Sequence, residues 1–522
     1  MFRRVLIANR GEIAVRIIRA VHELGAEAVA VYSEADRAAL HVRLADYAYP
    51  VGPAPAGRSY LDEAGILDAA RRSGAEAIHP GYGFLSENAS FARACAAAGI
   101  VFVGPTPEAL ALMGDKVAAR KLAAEAGVPT VPGTADPIRD DREAGAAARR
   151  VGYPLLIKAA AGGGGKGMRV VRAAADLLPA LTQARSEAAS SFGDGSVYLE
   201  RLVERPRHIE VQLFGDGIGR VEHLGERECS LQRRFQKVVE EAPAPNLPDD
   251  VRRRLWEAAV AAASAARYGG AGTIEFLYEP STGNFYFLEM NARLQVEHPV
   301  TELVTGVDLV QAQLRLAAGA SLAQALGQAQ VASSKGLGKG HSSLITHHSS
   351  LHAIEARISA EDPAVNWLPS TGKLGVVREP GGLGVRVDSA CEPGQEVTVH
   401  YDPLLAKLIV WGRTRVEAIA RLRRAADEYL LTGVRTTLPF HRWLARDAAF
   451  CAGDLSTAFI AERWRPAEME AQPDDGQARA AALAAAYDLA ERARSTAVQH
   501  RNGAAAEEIS RWRTLGRREA LR

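Results

Sequence analysis

Strand-like and helix-like patterns of apolar residues alternate over about the first 110 residues. Residues 4–9, RVLIAN, form a short apolar run typical of a buried strand, and residues 13–24 carry apolar positions at helical spacing. Three further strand-like runs follow, AEAVAVYS, AEAIHPG and IVFVGP, with helical segments between them. This alternation predicts an α/β fold with a doubly wound parallel sheet. No GxGxxG motif follows the first strand, so the sequence lacks the fingerprint of a dinucleotide site.

The pattern of residues 270–300 predicts an antiparallel hairpin. GAGTIEFLYE is rich in strand formers, PSTGN supplies a turn, and NFYFLEMNARLQVEHPV follows over residues 284–300. Side chains on one face of a strand recur at every second position. In the second run, the alternate positions are Phe285 and Phe287 and then, as far as residue 297, only polar residues: Glu289, Asn291, Arg293, Gln295 and Glu297. We expect these groups to surround a reacting species.

The hairpin also predicts a cation site. Folding it about its turn places Glu275 roughly opposite Glu289, within one residue of register. Like charges directly opposed across a ladder repel each other, and a divalent cation would offset that repulsion. With the carbonyl oxygen of Asn291, the two carboxylates form an all-oxygen set that suits Mg²⁺ or Mn²⁺ and not zinc. An exposed acidic hairpin with an ion pair to Arg293 is the simpler alternative.

A glycine-rich segment is the second informative pattern. The run PLLIK ends in Lys158, four glycines and Lys166 follow, and MRVV resumes as a strand. Consecutive glycines allow backbone N–H groups to approach phosphate oxygens, while lysines supply positive charge. Gly167, and not Ser or Thr, follows Lys166, so this is not a Walker A loop. A flexible glycine hairpin with solvated lysines is the alternative.

Three further stretches carry charged groups on or beside strand-like runs. RHIEVQLFGD puts His208 and Glu210 on one face, and HPGYGFLSEN places Glu87 after a strand end, where ligands gather in parallel sheets. Residues 226–243, ERECSLQRRFQKVVEEAP, combine many charges with apolar residues and include Lys237. We expect this segment to line an anion site rather than a solvated face.

The pattern changes again in the last third of the chain. Residues 328–350 are polar and low in complexity, which predicts a loose inserted loop. His347 and His348 could bind a metal, but such a segment cannot form a rigid site. The tail, residues 466–522, is rich in Ala, Arg and Glu and predicts an exposed helical linker or partner-binding segment.

Between these two segments the chain becomes β-rich. Turns at Gly and Pro separate its strands, and helices over residues 415–429 and 438–445 close it. Arg357 shares the first strand with Glu355. The simplest interpretation is a surface ion pair between these two residues, and the alternative is that Arg357 supplies a catalytic guanidinium.

Composition excludes several classes of function. Lys and Arg total 63 against 62 Asp and Glu, so no bulk charge directs the chain to nucleic acid or to a membrane surface. The four cysteines lie far apart without a CxxC motif, which indicates neither a disulfide framework nor a zinc knuckle. The apolar runs are too short for a membrane span or a signal peptide. We therefore expect a soluble, cytoplasmic protein.

Seven stretches, in order along the chain, resemble motifs of biotin carboxylase, an ATP-grasp enzyme. They are IANRGEIAVRIIRA, HPGYGFLSEN, LMGDK, IKAAAGGGGKGM, RECSLQRRFQKVVEEAPAP, FLEMNARLQVEHPVTELVTG and EARISAEDP. The resemblance runs from residue 1 to about residue 465, interrupted by the 328–350 insertion. It implies three domains: an N-terminal domain over 1–114, an ATP-grasp domain over 115–318 with a mobile glycine-rich lid at about 131–204, and a β-rich C-terminal domain over 351–465.

The resemblance also implies a reaction. In this family ATP and bicarbonate form carboxyphosphate, whose carboxyl group passes to the ureido N1′ of biotin on a carrier protein. The residues implied for ATP are Lys116, Lys158, Gly164, Gly165, Glu200, Val203, His208 and Glu275. Those implied for Mg²⁺ or Mn²⁺ are Glu275, Glu289 and Asn291. Those implied for bicarbonate and catalysis are Lys237, Arg293, Gln295, the backbone of Val296, Glu297 as the general base, and Arg357, which would bind biotin and stabilise its enolate.

One residue of the charged segment departs from the family pattern. Phe235 follows QRR where the family usually has His. A hydrogen bond on the nucleotide side would be lost there, and stacking could replace it. We expect weaker ATP binding at most.

The resemblance bears on assembly as well. The sequence has no MKM-type biotinylation motif, so we expect the biotin carboxyl carrier protein and the carboxyltransferase to be separate subunits. Arg16, Arg19 and Glu23 match positions near the family's dimer interface, so we expect a homodimer.

Several functional interpretations remain open. The leading one is the biotin carboxylase subunit of an acyl-CoA carboxylase of the acetyl-CoA type, which serves fatty acid biosynthesis. A two-chain pyruvate carboxylase would share the same first half-reaction. Another ATP-grasp ligase, acting on an amine or amino acid, is disfavoured by the bicarbonate set and Arg357. A non-enzymatic scaffold is supported only by Phe235.

Overall fold

The computed structural model describes residues 1–134, 136–160, 168–327 and 351–466. The chain divides into a compact unit, Met1–Trp464, and a second unit, Arg465–Arg522. Three predictions fall outside the described residues: the glycine loop with Gly164, Gly165 and Lys166, the 328–350 insertion, and the helical tail. Of the helices in the described ranges, none is long and apolar enough to cross a membrane.

A parallel sheet forms the N-terminal part of the protein. Its elements are β1 Arg4–Ile7, α1 Gly11–Glu23, β2 Glu27–Ser33, α2 Leu40–Leu44, β3 Tyr47–Gly52, α3 Glu63–Ser73, β4 Ala77–His79, α4 Ala89–Ala97, β5 Val101–Phe102 and α5 Pro107–Gly114. The strands pair in the order β3-β2-β1-β4-β5, all parallel. Apolar cores lie on both faces of this sheet, so its central strand is buried almost completely. The predicted doubly wound sheet is confirmed.

A small antiparallel sheet follows. Its segment contains α6 Lys116–Glu125, α7 Asp141–Val151, β6 Leu155–Ala159, β7 Arg169–Val171, α8 Leu177–Phe192 and β8 Val197–Arg201. The strands pair in the order β7-β6-β8, and an apolar core of their own packs them against the helices. Lys158 lies on β6, and β7 resumes after the glycine-rich run, as the sequence pattern predicts.

The largest sheet extends through the rest of the compact unit. Its first elements are β9 Arg207–Asp216, β10 Val221–Arg233, β11 Gln236–Ala242, α9 Asp249–Ala265, β12 Gly269–Glu279, β13 Asn284–Asn291, α10 His298–Thr305, α11 Leu309–Ala317 and α12 Leu322–Ala325. After residue 350 come β14 His352–Ser359, β15 Glu361–Asp362, β16 Leu368–Pro369, β17 Gly372–Lys373, β18 Val377–Arg378, β19 Val385–Ser389, β20 Glu396–Val397, β21 Leu404–Gly412, α13 Arg415–Glu428, β22 Leu430–Leu431, α14 Leu438–Leu444, α15 Ala448–Ala452 and α16 Phe459–Arg463. The eight strands of the sheet pair in the order β13-β12-β9-β10-β11-β14-β21-β19.

The join between β11 and β14 positions the site. These strands are antiparallel, with Glu240 opposite Glu355 and Val239 opposite Ala356. The segment after residue 350 is therefore β-rich, as predicted, but its first strand continues the sheet of the preceding segment. The sequence pattern does not predict this pairing, which brings Arg357 beside residues of β11.

The hairpin of β12 and β13 has the predicted register. Glu275 lies opposite Glu289, and a one-residue shift beside that pair leaves Leu288 with no opposite residue on β12. The expectation of one strand through Glu297 is wrong, because β13 ends at Asn291. The next backbone N–H, that of Ala292, donates to the Glu87 carboxylate at 3.0 Å and so leaves the ladder.

Candidate active site

A cavity of about 350 Å³ opens at one face of the eight-stranded sheet. The sequence-predicted residues that line it are His208, Lys237, Glu275, Glu289, Asn291, Arg293, Gln295, Val296, Glu297 and Arg357. Trp367 and Pro403, from the segment after residue 350, form part of the wall. A neighbouring cavity of about 220 Å³ is lined by Lys116 as well as Glu289 and Asn291. The structure therefore gathers the predicted bicarbonate, metal and biotin residues around one space.

Lys237 occupies the centre of a carboxylate cluster. Its Nζ donates to Glu275 Oε1 at 2.8 Å and to Glu297 Oε1 at 2.6 Å, and it also contacts Glu210. Burial alone would lower the pKa of Lys237, but these three carboxylates hold it well above its ordinary value. The side chain is therefore an ammonium ion that neutralises its neighbours, not a base.

Glu297 lies between two cations. Its Oε1 accepts from Lys237, and its Oε2 accepts from Arg357 Nη2 at 2.9 Å. Burial alone would raise the pKa of the Glu297 carboxyl, but Lys237 and Arg357 hold the pKa below its ordinary value. Glu297 is thus a buried carboxylate that is ionised and able to accept a proton from an anion bound beside it.

Arg357 is oriented by β11 and not by its strand neighbour. Its Nε donates to Glu240 Oε1 at 2.7 Å, while Nη2 reaches Glu297. The alternative of a surface pair with Glu355 is wrong, since Glu355 is fully buried and its carboxyl oxygens accept no hydrogen bond from the described residues. Burial raises the pKa of Glu355 well above its ordinary value, which keeps this carboxyl neutral.

The opposed carboxylates of the hairpin fit a hard divalent cation. Glu289 is partly exposed, and the Lys116 ammonium lies 3.4 Å from its carboxylate. Asn291 Nδ2 donates to Glu275 Oε1 at 2.9 Å, and Asn291 Oδ1 accepts from Arg293 at 2.9 Å, which leaves a second lone pair on that oxygen. The donor set is all oxygen, as Mg²⁺ or Mn²⁺ requires.

Arg293 belongs to a bridge between the parallel sheet and the hairpin. Its Nε donates to Glu87 Oε2 at 2.8 Å, and its Nη2 donates to Asn291. Glu87 lies in the HPGYGFLSEN stretch, so the strand-end position predicted to gather ligands does face the site. Glu87 fixes the direction of the arginine fork.

The predicted nucleotide residues fall into two groups. His208 lies in the main cavity, with its Nε2 3.2 Å from Glu275 Oε2. Burial alone would lower the pKa of His208, but Glu275 and Glu210 raise it to about 9, so the ring is cationic. Lys158 and Glu200 lie on the small sheet and form an ion pair of 2.5 Å, and Val203 is buried just beyond them. Gly164 and Gly165 lie outside the described residues.

Phe235 lies at the turn between β10 and β11. The residue is 62% exposed and lines the main cavity. The backbone there has a positive φ of 66°. The site therefore presents an apolar ring at its rim, next to Arg233 and Trp367 in the cavity wall.

Three residues with direct roles in this geometry were absent from the predicted set: Glu210, Arg227 and Glu240. Glu210 binds Lys237, Glu240 orients Arg357, and Arg227 is buried beneath the cavity. Two of them lie in the charge-dense segment 226–243, and Glu210 shares a strand face with His208. The density of charged residues in that segment could have indicated Arg227 and Glu240 as site residues. Their partners could not be predicted, because they come from strands that meet only in the folded sheet.

Family models match three consecutive parts of the chain. The model described as "Biotin carboxylase, N-terminal domain" matches residues 1–110. "Carbamoyl-phosphate synthase L chain, ATP binding domain" matches 115–325, and "Biotin carboxylase C-terminal domain" matches 355–462. These matches include the residues of the hairpin at the cavity and those of the segment after residue 350 that form part of its wall.

Curated relatives and solved structures show the same similarity. "Biotin carboxylase 1" of Bacillus subtilis is 48% identical over 460 residues, which is 88% of this chain and 98% of the relative. A pyruvate carboxylase subunit of Methanothermobacter thermautotrophicus is 48% identical over 470 residues, 90% and 92% of the two chains. The biotin carboxylase domain of Hydrogenobacter thermophilus 2-oxoglutarate carboxylase, a dimer solved with MgADP, ADP and bicarbonate, is 45% identical with a TM-score of 0.80, covering 88% of this chain and 98% of that one.

Proposed function

Since the chain belongs to the biotin carboxylase family of ATP-grasp enzymes, we propose that it carboxylates biotin on a separate carrier protein, with ATP and bicarbonate as co-substrates. The observation that carries this proposal is Glu297, an ionised carboxylate held between Lys237 and Arg357 at the floor of the cavity. A base flanked by two cations suits an anionic substrate that must lose a proton. The opposed carboxylates of the adjacent hairpin supply the cation site that a phosphoryl transfer needs.

Bicarbonate would bind among Lys237, Arg293, Gln295 and the backbone of Val296. The Val296 carbonyl accepts from Lys407 Nζ at 3.1 Å, which fixes the backbone at that position. Glu297 takes the proton of bicarbonate, and the resulting oxyanion attacks the γ-phosphorus of ATP. ADP leaves and carboxyphosphate forms.

The second step transfers the carboxyl group. Carboxyphosphate breaks into CO₂ and phosphate, the phosphate takes the N1′ proton of biotin, and the enolate of the ureido group attacks CO₂. Arg357 would stabilise the oxyanion of that enolate, since its guanidinium faces the cavity from β14. A closed site excludes water from the labile intermediate.

ATP would be bound between the small sheet and the hairpin. Lys116 and Lys158 suit phosphate oxygens, and Gly164 and Gly165 would close over them. Glu200 and Val203 suit the adenine, and His208 would lie on the ribose side. Glu275, Glu289 and Asn291 would hold Mg²⁺ or Mn²⁺, which neutralises charge on the phosphoryl oxygens when bound. We assign these roles within the domains 1–114, 115–318, with a lid at about 131–204, and 351–465.

The assembly proposed is a homodimer that works with separate carrier and carboxyltransferase subunits. Arg19 and Glu23 on α1 are exposed, as an interface requires. Arg16 is buried and forms ion pairs of 2.8 Å with Glu302 and Asp308 of the same chain. It would therefore stabilise the interface helix α1 from inside the protomer. We infer a cytoplasmic enzyme of this kind.

The acceptor that we propose is an acyl-CoA of the acetyl-CoA type, in fatty acid biosynthesis. A two-chain pyruvate carboxylase is the second candidate, and the 48% identity to the Methanothermobacter pyruvate carboxylase chain supports it. Both assignments share the biotin carboxylation step. Carboxylation assays with acetyl-CoA or pyruvate and the cognate carboxyltransferase would separate them.

The experiment that tests the function is ADP release by the purified chain with Mg²⁺ and ATP, with bicarbonate and free biotin each added or omitted. We expect cleavage of ATP to require bicarbonate and to rise with biotin. Release that ignores both compounds would indicate a different ATP-grasp ligase instead.

A further inference from the structure

Arg227, on β10, lies directly beneath the cavity and is completely buried. Its Nε donates to Glu210 Oε1 at 2.6 Å. Its Nη1 donates to Gln212 Oε1 at 2.6 Å and to Thr301 Oγ1 at 2.9 Å. The remaining donor, Nη2, reaches Thr273 Oγ1 at 3.1 Å and Gln295 Oε1 at 2.8 Å. All five N–H groups of the planar fork therefore have acceptors, and these come from three elements and the loop after β13.

Part of this network is anchored to the backbone. The Gln212 amide nitrogen donates to the carbonyl oxygens of Leu213 at 3.2 Å and Gly272 at 2.9 Å. Since its NH₂ group is fixed there, its oxygen must face Arg227. Thr301 on α10 closes the same edge of the guanidinium. The position of Arg227 is thus set by groups that lie outside the cavity.

The other part of the network reaches the proposed bicarbonate site through Gln295. Only the oxygen of an amide can accept from arginine, so Gln295 Oε1 is committed to Arg227. Its Nε2 then faces the site and donates to Glu275 Oε1 at 2.9 Å. Gln295 lines the cavity, and its donor side is the side that an anion would meet.

Glu210 transmits the same restraint to Lys237. One carboxylate oxygen of Glu210 accepts from Arg227 and the other from the Lys237 ammonium. Without Arg227, the buried Glu210 carboxylate would lose a strong charge-assisted partner and could turn. The ammonium would then move with it.

We propose that Arg227 is the positioning residue of the bicarbonate site, which turns the Gln295 amide donor and, through Glu210, the Lys237 ammonium toward the anion. Arg227 itself never touches a substrate. The inference rests on the proposed function, because it names a residue that acts through the proposed bicarbonate ligands.

The test is the KM for bicarbonate and for ATP in Arg227→Lys. Lysine keeps the charge, but its single ammonium lacks the planar fork whose separate nitrogens hold Glu210 and Gln295. We expect the KM for bicarbonate to rise about 10- to 100-fold, because misplacing binding groups by about 1 Å costs up to about 10²-fold. The KM for ATP should change less than about threefold, because Arg227 donates to none of the residues assigned to ATP. An unchanged bicarbonate KM, or an equal rise for both substrates, would overturn the proposal.

Arg207→Lys is the matched control. Arg207, on the neighbouring strand β9, is also buried, and it pairs with Glu228 and the Pro245 carbonyl, away from the cavity. Arg207→Lys should lower the thermal midpoint of unfolding about as much as Arg227→Lys does, and it should leave the bicarbonate KM unchanged. If it shifts that KM as Arg227→Lys does, the effect is structural and the proposal fails.

A double-mutant cycle with Gln295→Ala tests the route. In the Gln295→Ala background, Arg227→Lys should raise the bicarbonate KM by a clearly smaller factor than in the unmodified chain. Full additivity would contradict action through Gln295. If Arg227→Lys does not fold, Thr301→Val removes one anchor of the same fork, and an unchanged bicarbonate KM in that variant would overturn the proposal.

Binding of ¹³C-labelled bicarbonate, followed by its NMR line width, separates this inference from the proposed function. Absence of bicarbonate-dependent ADP release in the unmodified chain would refute the function. Line broadening that is lost in Arg227→Lys and kept in Arg207→Lys would still support the positioning role. Equal broadening in all three proteins would refute it.

Discussion

Glu297 combines two properties that usually conflict, since it is deeply buried and yet ionised. Lys237 and Arg357 each bind one of its oxygens, so the cost of burying the charge is offset locally. The sequence alone indicated the types of residue, but not this pairing, because Lys237 and Arg357 lie on strands far from Glu297 along the chain. A proton acceptor of this kind is present in the active form throughout the neutral range.

Glu297→Gln tests the base directly. We predict that kcat for bicarbonate-dependent ADP release falls by about 10²-fold or more, because an amide cannot accept the proton. Glutamine has the same shape, and its oxygen still accepts from Lys237, while its NH₂ group replaces the oxygen that accepts from Arg357. ADP release at the parental rate in a folded Glu297→Gln protein would exclude Glu297 as the base.

Arg357→Lys tests the second step separately. We predict that bicarbonate-dependent ADP release without biotin persists, while its stimulation by biotin falls at least about tenfold, since a point charge replaces an oriented fork. The control is Arg415→Lys, another part-buried arginine, which binds both oxygens of Glu241 at 2.7 and 3.0 Å away from the cavity. Equal loss of biotin stimulation in both variants would contradict the assignment.

Glu240 gives the site a predictable effect on stability. Burial raises its pKa to about 7, although Arg357 lowers it. The folded protein keeps this proton up to about pH 7, whereas the unfolded chain releases it near the ordinary pKa of 4.5. The contribution of Glu240 to the unfolding free energy therefore falls as the pH rises through this window.

Glu240→Gln should remove that decline. Between about pH 5 and pH 8, we predict that the unfolding free energy of the variant falls by about 1–3 kcal/mol less than that of the parent. Thermal midpoints recorded across that pH range measure the difference. Glu241→Gln is the control on the adjacent position. Burial alone would raise the pKa of Glu241, but Arg415 and His352 lower it to about 2, so this carboxyl stays ionised in both states and should leave the slope unchanged. Parallel curves for Glu240→Gln and the parent would refute the raised pKa.

At the scale of elements, the hairpin of β12 and β13 is the part that the sequence predicts best. Strand alternation and the PSTGN turn define the register locally, so Glu275 lies opposite Glu289 as expected. The end of β13 could not be predicted, because it depends on Glu87, about 200 residues earlier, which takes the Ala292 N–H. The remaining polar residues reach the cavity from a loop instead of a strand face.

The paired carboxylates predict a specific metal dependence. In Glu289→Gln we expect the Mg²⁺ concentration for half-maximal ADP release to rise about tenfold or more, because one hard anionic ligand is lost. Glu279→Gln is a control on the same hairpin, since Glu279 binds Arg201 at 3.0 Å and lies at the turn end. A Mg²⁺ requirement that is unchanged in Glu289→Gln would place the cation elsewhere.

For the whole molecule, one sheet of eight strands unites segments that the sequence separates. β11 and β14 pair across more than a hundred residues, and that pairing carries Arg357 to Glu297. Long-range pairing leaves little local signal, so hydrophobic patterns predict the β-rich segment but not its neighbour. Four of the five strands of the parallel sheet, by contrast, were predictable because each is marked by its own short apolar pattern, whereas the edge strand β3 was not predicted.

Tyr401 holds the far wall of the cavity to the parallel sheet. Arg10 lies 4.0 Å above its ring, and its hydroxyl donates to the Ala54 carbonyl at 2.6 Å. The next residues, Asp402 and Pro403, line the cavity. Tyr401 therefore fixes a wall of the active site from outside it.

Tyr401→Ala should reveal this link. We predict a loss of about 2–3 kcal/mol in unfolding free energy, from a part-buried ring and its cation–π contact, together with a higher KM for free biotin. The control is Tyr47→Ala, because Tyr47 also lies under an arginine, Arg4 at 4.2 Å, but on the edge strand β3 away from the cavity. A stable Tyr401→Ala protein with an unaltered biotin KM would show that the wall is held by other contacts.

In the proposed mechanism an oxygen of bicarbonate attacks the γ-phosphorus of ATP, and oxygen labelling measures this directly. The chain is incubated with ATP, Mg²⁺, biotin and ¹⁸O-labelled bicarbonate, and the isotopic content of the released phosphate is read by mass spectrometry. If carboxyphosphate forms with Glu297 as the base, each phosphate carries one labelled oxygen, and both label and phosphate disappear in Glu297→Gln. Phosphate whose new oxygen comes only from water would contradict this mechanism, since water and not bicarbonate would then have attacked ATP.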